Sequence, residues 1–140
     1  MKKFKVTVKN LQKKLPINPK KIKSLVFKVL SSEGARKSGE INICFVNDAK
    51  ISEFNSKYLG INRPTDVLAF DISENKDHLL TDIIISTDTA FSNSKVFNTT
   101  PLFELYLYVI HGTLHVLGYD DSTSKQRKIM EKKSSRYVHT

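Results

Sequence analysis

Pro101-Leu102-Phe103-Glu104-Leu105-Tyr106-Leu107-Tyr108-Val109-Ile110-His111-Gly112-Thr113-Leu114-His115-Val116-Leu117-Gly118-Tyr119-Asp120-Asp121 is the stretch on which the reading of this chain turns. Thr100 stands before it as an N-cap, and Pro101 takes the first helical position, where a missing N–H costs nothing. Residues 101–117 are apolar almost all round, the pattern of a helix buried in a core. Gly118 ends the helix, since glycine enters a left-handed turn without a Cβ penalty. His111 and His115 lie four residues apart, so both imidazoles point the same way. Two ionisable rings in so apolar a helix are costly unless something shared satisfies them. The glycine turn lets the chain swing back and bring Asp121 to the same place. Two histidines and a carboxylate form a ligand set for one metal ion, with zinc expected, and leave one position free as a catalytic site requires.

The same helical face carries Tyr108 and Glu104, the latter nearly two turns before His111. Glu104 reads equally as a carboxylate favouring the helix dipole or as support for the metal site. The zinc-protease helix has glutamate directly after its first histidine, serving as general base; here that position is Gly112, which counts against a peptidase.

Outward from this helix, residues 3–9 alternate apolar and polar and predict a strand. Ile22, Leu25, Val26, Val29 and Leu30 fall at helical spacing within residues 19–32, ending near Gly34. Residues 40–46 predict a strand, and Asn47 or Asp48 caps a helix carrying Ile51, Phe54 and Tyr58. Residues 60–65 form a loop, Val67 to Phe70 a short strand, residues 71–79 a turn, and Asp82 to Ser86 another strand. A short helix starts at Ser86 or Thr87, and residues 122–137 form an exposed final helix. Two or three helices and about four strands, not strictly alternating, predict an α+β fold. A small mixed sheet is packed with helices, and the metal site sits on the buried central helix, in a zincin-like arrangement.

The 140 residues suit a single domain, with no repeat or linker to divide residues 1–140. Cys44 is the one cysteine, which excludes an intramolecular disulfide; it sits in an apolar run as a buried strand thiol. No signal peptide is expected, because Phe4 to Val8 alternate with lysine and threonine. No apolar run is long enough for a membrane span. Net charge is +9, concentrated on the flanks. Residues 1–24 hold nine lysines and no acid, whereas residues 25–121 hold eight basic and thirteen acidic groups. Basic flanks suit a polyanion, although lysine-rich solubility explains them equally.

The run His-Gly-x-Leu-His-x-x-Gly-Tyr-Asp resembles the signature of the YbeY family of bacterial rRNA-maturation endoribonucleases. Asn55-x-x-Tyr58, Pro64-Thr65-Asp66-Val67-Leu68-Ala69-Phe70, Asp82-Ile83-Ile84-Ile85-Ser86 and Glu104-Leu105 match in the family's order. The resemblance implies a compact α+β fold, one Zn2+ on three side chains, and cleavage of single-stranded RNA. It also implies 3′-end processing of small-subunit ribosomal RNA and ribosome quality control, hence a cytoplasmic protein meeting the small subunit or its assembly factors. Two positions depart from the pattern. The family's usual third ligand is histidine, where this chain has Asp121, itself a competent zinc ligand. The family usually has arginine after the Tyr58 position, where this chain has Leu59. Arg63 or Lys57 is then the candidate cation for the phosphate. Glu104, Asp66 and Asp82 are the candidates for proton handling or for orienting the site. The rival functions are a zinc metalloprotease-like hydrolase and a non-catalytic assembly factor with a structural metal.

Overall fold

The computed structural model describes residues 4–35, 38–75 and 77–139. Lys3 of the expected first strand and Lys76 of the expected turn lie outside these. Strands β1 (Phe4–Asn10), β2 (Ser38–Val46) and β4 (His78–Ser86) run parallel, and β3 (Val67–Asp71) lies antiparallel on β4. The sheet order is β1-β2-β4-β3. Register places Val6 beside Ile41, Ile43 beside Ile83, and Leu68 beside Ile84.

Five helices accompany the sheet: α1 (Pro19–Ser32), α2 (Asp48–Leu59), α3 (Thr87–Phe97), α4 (Pro101–Val116) and α5 (Ser124–Val138). Each begins with a capping side chain: Asn18, Asn47, Ser86, Thr100 and Thr123 accept the first free N–H groups. Val6, Ile41, Ile43, Phe45, Ile83 and Ile85 form one buried sheet face, packed in the main core with Val26 and Val29 of α1 and Leu105, Val109 and Leu114 of α4. A smaller cluster on the other face joins Val46, Leu68 and Ile84 to Ile51 of α2.

Gly112 fixes how closely α4 lies on the sheet. A Cβ at that position would stand 2.8 Å from Cγ2 and 3.2 Å from Cδ1 of fully buried Ile83. Position 112 therefore faces the sheet, and only a residue without a side chain lets the helix axis come this near.

The α+β class and the mixed four-stranded sheet agree with the sequence, and two elements differ. The polar stretch read as a turn to residue 79 ends sooner, because Leu79 and Leu80 pair with Gly39 and Glu40 and extend β4 back to His78. Pairing partners distant in sequence override the local turn composition. The final helix is not merely exposed: Met130, Ser134 and Tyr137 are buried along the face that α5 turns inward. Helices number five among the described residues rather than two or three, since α3 and α5 carry too few apolar residues to stand out singly. No helix of the described residues is long and apolar enough to cross a membrane.

Gly112→Ala gains about 1 kcal/mol of helix propensity but overpacks Ile83 at about 1–3 kcal/mol. Denaturant melts are expected to show a net loss of stability. Ile83→Ala in the same chain should relieve part of it, giving a less than additive double variant.

Candidate metal centre

His111 and His115 occupy the last two turns of α4, with their Nε2 atoms 3.0 Å apart and ring centroids 4.7 Å apart. Directly after them the helix closes with paired hydrogen bonds. The Gly118 N–H donates to the His115 carbonyl at 3.0 Å, and the Tyr119 N–H donates to the Leu114 carbonyl at 3.1 Å. This end requires the left-handed φ of +98° that Gly118 adopts. The chain then reverses, and Asp121 Oδ2 comes within 3.4 Å of His111 Nε2 and 3.7 Å of His115 Nε2. The Asp121 loop is tied down by Arg127, whose Nη1 donates to the carbonyls of Asp121 at 3.2 Å and Ser122 at 3.3 Å.

The donor atoms suit one tetrahedral ion. Ligands at 2.0–2.1 Å from such an ion lie about 3.3 Å from one another, and the three separations found here bracket that value. His111, His115 and Asp121 are also the only group of three or more such side chains among the described residues that converges this closely. The sequence led us to expect buried rings, but the side chains of His111 and His115 are 30% and 26% exposed. They stand at the mouth of a cavity, where α4 passes beyond the sheet and only one side of each ring is covered. Burial, the neighbouring His115, and against them the carboxylates of Asp66 and Asp121 act on His111, with the net result that its pKa is lowered. A lowered pKa favours the neutral ring that ligates metal.

Other candidate residues are placed unevenly. Asp66 lines the same cavity as His111, Tyr108 and Asp121, and its Oδ1 accepts from the Val67 N–H at 2.7 Å. The Tyr108 hydroxyl accepts from Asn93 Nδ2 at 2.7 Å, and burial pushes its pKa well up. Glu104 is only 4% exposed and accepts from Thr99 Oγ1 at 2.6 Å, about 10 Å along the helix from His111. Asp82 is not brought to the histidines. It accepts from Asn42 Nδ2 at 3.1 Å and shares a surface with Lys9 and Cys44, on the sheet face opposite its neighbour Ile83.

Arg63 is exposed in the loop that leads to Asp66, and its carbonyl accepts from buried Asn55 Nδ2 at 3.0 Å. Leu59 is exposed at the end of α2, and the Lys57 ammonium lies 5.4 Å over the Tyr58 ring. Arg127 was missed in the sequence. It lines the cavity with His111 and Asp121, yet it reads as one more charge in a basic helix.

Fold and site together define a class: a small α+β domain whose central helix ends in a His-x3-His donor pair completed by a carboxylate beyond a glycine turn. The sequence profile described as "Endoribonuclease YbeY" matches residues 7–140. The chain belongs to the YbeY endoribonuclease family. It is 38% identical over 137 residues to an Endoribonuclease YbeY of Petrotoga mobilis, covering 97% of this chain and 94% of that protein. It is 37% identical over 135 residues to one from Syntrophus aciditrophicus, covering 91% and 84%. A solution structure of a Thermotoga maritima protein superposes with a TM-score of 0.66 at 28% identity, covering 96% of this chain and 87% of the other.

The ligand turn is braced from the far side by Glu33, just after α1. Its carboxylate accepts from the Tyr119 hydroxyl at 2.5 Å, from the Lys133 ammonium at 3.1 Å and from the Tyr137 hydroxyl. Burial alone would raise the Glu33 pKa, but these three hydrogen bonds and the Lys133 charge together lower it. Stabilisation from ionised Glu33 is therefore full at neutral pH and is lost as acid protonates the group. Glu33→Gln is expected to cost about 1–3 kcal/mol near pH 7, as hydrogen bonds to a charged group do. The difference from the unaltered protein should narrow below about pH 4 in thermal melts.

Proposed function

We infer that this protein is a zinc-dependent endoribonuclease of single-stranded RNA, working on the 3′ end of small-subunit ribosomal RNA and in ribosome quality control in the cytoplasm. The observation that carries the zinc reading is the convergence of His111, His115 and Asp121 at the mouth of a cavity that Asp66 and Arg127 also line. Family membership supplies the endoribonuclease role. Ribosomal RNA, the small subunit and its assembly factors are the proposed partners, in keeping with the basic flanks.

His111, His115 and Asp121 hold the ion. When bound, zinc supplies Lewis acidity, lowering the pKa of a water and polarising a phosphoryl oxygen. Of the three carboxylates considered for proton handling, Asp66 is favoured by its place in the cavity beside His111. Glu104 is held by Thr99 and orients the start of α4, while Asp82 stands on the opposite sheet face. Arg63, on the loop pinned by Asn55, is the proposed cation for the charge that develops on the phosphate. Arg127 anchors the Asp121 loop. The peptidase alternative is disfavoured by Gly112, because a side chain there would meet Ile83 rather than the ligand cluster.

About one zinc per chain is expected in metal analysis. His111→Ala or His115→Ala should lose most of the metal and the RNA cleavage while keeping a folded circular-dichroism spectrum. Unfolding on chelation would instead favour a structural metal in a non-catalytic assembly factor.

Arg63→Ala should lower single-strand cleavage by about 10- to 1,000-fold at unchanged metal content, the range for loss of a positioned transition-state donor. Leu59→Arg should restore part of that loss. Arg127→Ala, by contrast, should lower metal content as well, because its guanidinium holds the ligand loop.

A further inference from the structure

We propose that the groove between α4 and α5, which opens beside His111, is a subsite for one nucleobase of the RNA strand; this rests on the endoribonuclease reading above. Phe103, Leu107 and His111 follow one another at intervals of four and form a single stripe on α4. Met130, Ser134 and Val138 form the facing stripe on α5, and the space between encloses about 380 Å³. That lies within the range of about 300–1,000 Å³ typical of small-molecule pockets. Leu107 is one helical turn below the ligand His111, so a group in the groove sits next to whatever the metal cluster holds. A base joined through its ribose to a phosphate at the cluster has the reach to enter it.

The walls suit a flat aromatic ring. Phe103 offers a stacking face, and Met130, 2% exposed, offers a thioether of the kind that packs well on aromatic rings. The polar requirement is met by one group. Ser134 is 7% exposed, and its Oγ has no hydrogen-bond partner among the described residues. Buried helical hydroxyls elsewhere are satisfied by their own helix: Thr113 Oγ1 donates to the Val109 carbonyl at 2.8 Å and Ser94 Oγ to the Phe91 carbonyl at 2.6 Å. An unpaired buried hydroxyl in the wall of an otherwise apolar groove calls for a polar atom on the ligand. The edge of a base carries such atoms and its faces do not. An aliphatic side chain of a peptide would leave the hydroxyl orphaned.

The protein has two methionines, so methyl-labelled methionine gives a two-line spectrum in which Met130 reports on the groove. Cytidine 5′-monophosphate and adenosine 5′-monophosphate should each shift the Met130 methyl signal in the zinc-loaded protein, whereas ribose 5-phosphate should not. Val138→Trp, which fills the groove, should weaken nucleotide binding about tenfold or more, the loss expected when a stacked base is expelled. Ser134→Ala, a milder change, should leave the free protein's Met130 signal in place and weaken binding several-fold. The proposal is overturned if nucleotides leave Met130 unmoved, if ribose 5-phosphate shifts it equally, or if both variants bind as the unaltered protein does. A shift with a leucine-containing tripeptide but not with nucleotides would also overturn it and mark a side-chain pocket. RNA cleavage by the same samples separates the two readings. Cleavage without a base-dependent shift removes the subsite alone; a base-dependent shift without cleavage keeps the subsite and removes the nuclease reading.

Discussion

The close approach of α4 to β4 at Gly112 is the contact on which the rest of the site depends. With Ile83 filling the space where a Cβ would stand, the helix is set at one height and one rotation on the sheet. That rotation sends Val109, Leu105 and Leu114 into the core and leaves His111 and His115 at the open edge. A helix rolled by one residue position would bury the imidazoles and expose leucines, at the cost of desolvating two titratable rings. The packing that stabilises the domain and the geometry that gathers the ligands are thus one arrangement.

Around that fixed helix the supporting polar contacts divide by task. Arg127 and the Gly118 turn act locally on the Asp121 loop. Glu33 acts from a distance, joining the end of α1 to Tyr119 in the ligand turn and to Lys133 and Tyr137 on α5. Three elements far apart in sequence therefore share one carboxylate. The loop that carries Arg63 is tied in turn to α2 by Asn55. The candidate reacting groups sit on loops, and each of those loops is fastened to a helix.

Much of this was legible in the sequence because its signals were local. Thr100-Pro101, the apolar run, the histidine spacing and Gly118 each act within a few residues, and together they placed α4 and its ligands. What escaped was set by partners far along the chain. The extension of β4 to His78 depends on pairing with β2, and the burial of Met130, Ser134 and Tyr137 depends on α5 lying against α4. Asp82 was misleading for the same reason: its neighbour Ile83 faces the central helix, and strand alternation turns Asp82 to the other side. Glu104 shares the helical face of the histidines, but the neighbouring Thr99 claims it. The partial exposure of the histidines reflects where the sheet ends, which helix periodicity does not encode.

The three donor side chains fall within eleven consecutive residues, closed by the glycine turn and its paired backbone bonds. Closing so short a segment costs little chain entropy, and the cost grows only logarithmically with length. The site thus belongs to one contiguous stretch rather than to strands gathered from across the chain. An ion seated there would staple a turn to the end of one helix, without linking distant parts of the molecule. Its departure would loosen the few residues after Gly118 and leave the sheet and its helices packed as before. Cohesion of the domain and occupancy of its site are, by this chain order, separable properties.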